Sequence, residues 1–171
     1  VKVHLGCGLR RLPDFVHVDA RADVQPDHVA TADSLPMFAD ESVELLYWCH
    51  GLEHIQRPQV QSVLCELRRV LVPGGTLRLS LPDIKILAAL YVSGQVPLER
   101  IVGPIHGRQD YPDNIHYCSY DWRSLVQTLT TAGFSSITPY DPYAVNPAGY
   151  DDYSYAKIEG YLISLNVEAT K

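Results

Sequence analysis

Apolar residues recur along this chain with two periods, and the two periods alternate. "VKVHL" at the start, "FVHVD" at 15–19, "VELLYWC" at 43–49 and "TLRLSLP" at 76–82 are short runs rich in branched or aromatic side chains, and they predict strands. Between the third and fourth runs, Val60, Val63, Leu64, Leu67, Val70 and Leu71 fall on one helical face, and Pro58 suits a first turn. "VPGG" then predicts the end of that helix and a turn into the next strand. Residues 84–92 predict a second helix closed by Gly94, and Tyr120–Ala132 a third, capped by Asp121 and ended by Gly133. From Pro97 to Ser119 the period is lost among Gly, Pro, His and Tyr, which predicts an inserted loop or lid. "SSITPYD" and "GYLISLNVEATK" flank a Tyr- and Pro-rich connection and predict two last strands, paired like a hairpin at one edge.

Alternation of strand and helix implies an α/β chain with a doubly wound, Rossmann-like sheet. The expected sheet is mostly parallel with an antiparallel last strand and helices on both faces. At 171 residues, 46% hydrophobic and 20% charged, a single domain over 1–171 with an insert at about 97–120 is expected. Fourteen basic against twenty acidic side chains leave a net charge of -6, and no basic run exceeds Arg10-Arg11 or Arg68-Arg69. Binding to nucleic acid is therefore not expected. Cys7, Cys49, Cys65 and Cys118 form no C-x-x-C pair, which suits a reduced, cytoplasmic protein. No apolar stretch approaches the ~20 residues of a membrane span.

Candidate chemistry begins at Gly6-Cys7-Gly8, which turns the chain after its first strand, and at Asp19, which ends the second. Ligands of doubly wound sheets bind at the carboxyl ends of the strands, where glycines admit a close backbone approach and a strand-end carboxylate can hold ribose hydroxyls. A plain tight turn with Asp19 as a local cap is the competing reading of so short a motif. Arg11 stands where a dinucleotide fingerprint needs its third glycine, which argues against a pyrophosphate cofactor.

In register along most of its length, the chain resembles the class I S-adenosylmethionine-dependent methyltransferases. "VHLGCG" is similar to their first motif, "FVHVDA" to their ribose-binding strand and "TADSLP" to their adenine-side strand end. "ESVELLYWCHGLEHI" resembles their fourth strand and following turn, and "LCELRRVLVPGGTLRLSLPD" the helix-turn-strand after it. The resemblance implies S-adenosylmethionine as cofactor, S-adenosylhomocysteine as product, and no metal. It sets Gly6, Cys7 and Gly8 against the amino-acid part, Asp19 on the ribose, and Ala20 beside the adenine. It sets Asp33 on the adenine amino group with Ser34 and Leu35 alongside, and Cys49 and His50 near the methionyl end. His4 replaces the usual acid before the first glycine, and the short stretch from Gly8 to Asp19 leaves no room for the family's long first helix. The implied activity is methyl transfer to a small molecule, with an oxygen of a sugar or other small metabolite as first choice. A non-catalytic module that keeps the fold is the alternative. Oligomeric state is left open.

A hydroxyl acceptor gains from a general base. His116 in "NIHYCSY" ranks first, His106 second, and His50 and His54 follow. His54 with Glu53 can equally hold a first helical turn, and His4 and His17 read as packing groups. Eleven Tyr against three Phe, many after residue 110, suit a surface that stacks on sugars or phenols while offering hydroxyls. Asp110, Asp113 and Asn114, or Asp151 and Asp152, show no closed ligand set for a divalent ion.

Overall fold

Strand alternation divides the sheet's side chains between two unlike faces, and that division organises the molecule. The computed structural model describes residues 1–171. Its strands are β1 (Lys2–Leu5), β2 (Val16–Asp19), β3 (His28–Val29), β4 (Val43–Cys49), β5 (Leu71–Pro82), β6 (Ser135–Pro139), β7 (Lys157–Ile158), β8 (Tyr161–Leu162) and β9 (Ser164–Thr170). Its α-helices are α1 (Val60–Val70), α2 (Ile84–Val92), α3 (Leu98–His106), α4 (Trp122–Thr131) and the short α5 (Pro142–Val145). Seven strands form one sheet in the order β3-β2-β1-β4-β5-β9-β6. β9 is its antiparallel member, set between β5 and the edge strand β6, and the rest run parallel. The doubly wound sheet expected from the alternation is therefore the one observed.

Leu5, Val18, Leu46, Leu77, Leu79 and Val167 point to one face and form the main core with Val63, Leu64 and Leu67 of α1 and Leu125 and Leu129 of α4. The opposite face carries His4, His17, Tyr47, Ser80 and Asn166, all buried although polar. The segment 140–156 covers it, with α5 and a 3-10 turn at Tyr153–Tyr155 as its helical parts. Tyr47 Oη donates to Asp152 Oδ2, Ser80 Oγ donates to Asn166 Oδ1, and Asn166 Nδ2 donates to Ser154 O. Because the Ser80 proton is spent on Asn166, the Tyr140 hydroxyl 2.6 Å away donates to Ser80 Oγ. This face is closed by paired polar groups and the short α5 rather than by a long helix.

Two local differences from the sequence reading have physical reasons. β5 begins at Leu71, so "VPGG" is a bulge inside the strand: Leu71 pairs with Val43, the register shifts, and pairing resumes at Thr76 with Leu45. A Cβ at Gly75 would stand 2.9 Å from the Val72 carbonyl oxygen, so the bulge needs glycine there. The insert is not all loop, because residues 98–106 form α3 in spite of Gly103 and Pro104. Ile101 of α3 joins Leu87 and Leu90 of α2 and Ile158 and Ile163 in a second apolar cluster, which supplies the packing that local propensity lacks. α2 matches its expected span, with Asp83 accepting from the Lys85 and Ile86 N–H groups. α4 starts at Trp122 with a capping box between Asp121 and Ser124. No helix is long and apolar enough to cross a membrane.

Candidate functional site

At the carboxyl end of β1 the chain turns through Gly6 and Gly8 at φ of +62° and +53°, a region where a side chain would strain the backbone. Open space lies in front of Gly8, whereas Gly6 backs onto the indole of Trp48. Asp19, buried at the end of the adjacent β2, accepts from Gly8 N at 2.8 Å through Oδ2 and from Arg21 N at 2.9 Å through Oδ1. One further lone pair per oxygen is free for a ligand hydroxyl. Where a third glycine would stand, Arg11 ties the turn down by donating to Gly8 O at 2.8 Å and Val24 O at 2.6 Å. Exposed aromatics edge the crevice: Tyr111 lies under the Arg21 guanidinium, and Tyr153 lies between that of Arg10 and the ring of His50.

A second feature stands at the end of β4. His50 leaves the strand at φ +51°, and Gly51 follows because any Cβ there would collide with the Trp48 ring. The 3-10 turn Leu52–His54 then brings Glu53 back over His50, with Oε1 3.4 Å from His50 Nδ1. The insert closes over this turn: Tyr117 N and Cys118 N donate to Glu53 O, and the Asp113 and Ile115 carbonyls accept from His54 Nδ1 at 3.1 Å each. Glu53 is 1% exposed, and neither carboxyl oxygen has a hydrogen-bond partner. Burial pushes its pKa up to about 8. Burial likewise lowers His50 to about 3 and His116 to about 4, His116 adding to the first effect and His54 to the second. Burial also lowers His54. With acid and imidazoles all neutral near pH 7, the 3.4 Å approach of His50 Nδ1 to Glu53 Oε1 is not an ion pair.

Residues 6–79 match the family model described as a methyltransferase domain. Solved structures align over nearly all of the chain. An S-adenosylmethionine-dependent methyltransferase of Thermotoga maritima, described as a possible histamine N-methyltransferase, is 20% identical with a TM-score of 0.63, over 99% of this chain and 81% of its own. One from Methanosarcina mazei is 16% identical with a TM-score of 0.64, over 99% and 91%. A chain of the Haloferax volcanii complex of the Trm112 methyltransferase activator with a methyltransferase is 13% identical with a TM-score of 0.58, over 98% and 80%. No curated protein matches. The chain has the class I methyltransferase fold. The resemblance read from "VHLGCG" through "LRLSLPD" therefore rests on the right architecture.

Within that methyltransferase fold, Gly6, Cys7, Gly8 and Asp19 come together at the tips of β1 and β2. Ala20 and Asp33 are exposed, Ala20 just past β2 and Asp33 in the turn beyond β3, the strand that flanks β2. Ser34 is exposed beside Asp33, while Leu35 is fully buried with its N–H donated to Glu66 Oε1, so Leu35 packs beneath the turn. Cys49 and His50 end β4. His116 joins His50, Glu53 and His54, whereas the exposed side chain of His106 at the end of α3 does not. Glu53 was missed as a site residue. The signal was present as a carboxylate between a glycine turn and a histidine, but its burial depends on residues 117–118, which nothing local in sequence brings there.

Proposed function

We propose that this protein transfers the methyl group of S-adenosylmethionine to an oxygen of a small, polyhydroxylated acceptor such as a sugar. The observation that carries the reading is the adjacency of two arrangements: the open glycine turn with its strand-end Asp19, and the His50–Glu53–His54–His116 cluster at the tip of β4. The residues fit the cofactor. Gly6, Cys7 and Gly8 would line its amino-acid part, Asp19 would accept from the ribose hydroxyls, and Ala20, Asp33 and Ser34 would flank the adenine. Cys49 and His50 would border the methionyl end. When bound, the cofactor supplies a methyl group that is already electrophilic, so the chain's task is to orient the acceptor and draw off its proton.

The Pro104 carbonyl accepts from His116 Nδ1 at 2.9 Å, which leaves the lone pair on Nε2. With no ion on the ring, Nε2 is the atom that would take the acceptor's proton, 4.0 Å from Glu53 Oε1. His106, on the rim at the end of α3, would serve acceptor contact rather than proton transfer. Tyr111, Tyr117 and Tyr153 expose between 40% and 48% of their surface, enough to stack on a sugar ring while offering hydroxyls.

Calorimetry with S-adenosylmethionine, followed by an acceptor panel read by release of S-adenosylhomocysteine, tests the proposal. Asp19→Ala is expected to weaken cofactor binding by about tenfold or more while the unfolding transition survives. Unchanged affinity in that variant would show that the ribose lies elsewhere. No binding in the unmodified chain would favour a module without catalysis.

A further inference from the structure

The cluster at the tip of β4 holds more lone pairs than hydrogens to satisfy them. A carbonyl oxygen can only accept, so the bond from His116 to Pro104 O and those from His54 to the Asp113 and Ile115 carbonyls fix both rings as Nδ1–H tautomers. Their Nε2 atoms are left as bare acceptors. Ser164 Oγ donates to Tyr153 O, so it accepts from His50 Nε2 at 2.9 Å and leaves Nδ1 of His50 as the bare nitrogen. That nitrogen lies 3.4 Å from Glu53 Oε1, and His116 Nε2 lies 4.0 Å from the same atom. Ligand atoms of Glu53, His54 and His116 lie within 4.8 Å of one another. The lone pairs of His54 and His116 thus meet the unpartnered, buried carboxyl group of Glu53, whose one proton can satisfy only one acceptor.

We propose that Glu53, His54 and His116 bind one divalent transition-metal ion, with room left for an oxygen of water or of the acceptor. The donor set selects the class: imidazole with a single carboxylate suits Zn²⁺, Co²⁺, Mn²⁺ or Fe²⁺, whereas Mg²⁺ and Ca²⁺ want a shell of oxygens. Each ring also makes the outer contact that ligating histidines make, its N–H held by a carbonyl. Bonds of about 2.1 Å hold ligands at most about 4.2 Å apart, so closure on an ion asks for shifts under about 1 Å. Spacing along the sequence hides the set, because His116 arrives from the insert while the other two share one turn. The ion site stands on these side chains alone; that its open position faces a methyl acceptor rests on the proposed function.

Untagged protein stripped with a chelator and titrated with Co²⁺ at pH 7.5, without cofactor, tests the site through visible d–d absorption and calorimetry. One Co²⁺ per chain with Kd on the order of 1 µM or tighter is expected, displaced by Zn²⁺ and not by Mg²⁺. Glu53→Gln and His116→Ala should each weaken it by about 100-fold or more, beyond the usual effect of losing an outer contact. X-ray absorption of the Zn²⁺-loaded parent chain should count two imidazoles, so the claim does not depend on the variants folding. Absence of stoichiometric binding, parent-like affinity in both folded variants, or fewer than two imidazoles would each overturn it. Cofactor calorimetry on the stripped protein separates the two proposals, since that binding uses Asp19 and not Glu53, His54 or His116.

Discussion

The two faces of the sheet reach burial by opposite means. Under α1 and α4, Leu46, Leu77, Val167 and their neighbours are fully excluded from water among apolar partners. That face gains from removing area, and any well-shaped hydrocarbon serves it. On the other face, His4, Tyr47, Ser80, Asp152, Ser154 and Asn166 are nearly as buried, yet most of their polar atoms meet a specific partner. Such a network contributes little net energy when complete and a large penalty when one member is lost. A chain too short for a first helix thus closes one face with a loop, which leads to the crevice: Arg10 donates to Asp151 O and stacks on Tyr153.

The comparison predicts its own largest effect on the apolar face. Leu67→Ala in α1 removes a side chain that is wholly buried in the main core, and should cost about 2–5 kcal/mol in urea unfolding. Leu67→Met at the same place should cost under about 1.5 kcal/mol, because volume is kept. Equal losses for the two would mean that shape-specific contacts, not area, hold this face.

On the polar face the prediction inverts. Tyr47→Phe keeps nearly all the volume but strips Asp152 Oδ2 of its buried donor, and should cost about 1–3 kcal/mol. Combined with Asp152→Ala in a double-mutant cycle, the pair should show coupling of about 0.5–3 kcal/mol. A Tyr47→Phe cost no larger than for an exposed tyrosine would place this face with the first, held by packing alone.

Legibility in the sequence divides along the same line. α1 was readable because six apolar residues repeat at its own period, and β4 because "VELLYWC" meets a core on one side and little charge on the other. The glycine turn and Asp19 were readable because positive φ and a strand-end carboxylate leave local marks. Segment 140–156 was legible only as Tyr-rich, since hydrogen bonds to partners on β4, β5 and β9 impose no period on it. α3 was hidden by Gly103-Pro104, and its burial comes from residues as distant as Ile158. Glu53 carried a mark too faint to use, because a carboxylate becomes unusual only when the rest of the chain removes water from it.

Glu53 extends the contrast to a third condition, burial with neither area nor partner to compensate, and its signature is a pH dependence. Its pKa is about 8 in the folded chain against an ordinary 4.5, so the folded state holds more protons between those values. Stability therefore falls as pH rises through that window, by at most about 1.4 kcal/mol per pH unit. His4 and His50, lowered to about 3, and His116, lowered to about 4, act with the opposite sign, because the unfolded chain binds their protons first. Their contribution is lost as pH falls from 6.5, and it outweighs that of Glu53 between 4.5 and 6.5. His54, lowered too, acts with them, and the Glu53 term prevails only above about pH 7. In a chelator, unfolding free energy should rise to about pH 7 and then decline by about 0.5 kcal/mol up to pH 8. Glu53→Gln should abolish the decline and leave the acid limb intact. A decline of equal size in the variant would assign it to another group and remove the case for an unpaired carboxyl at the tip of β4.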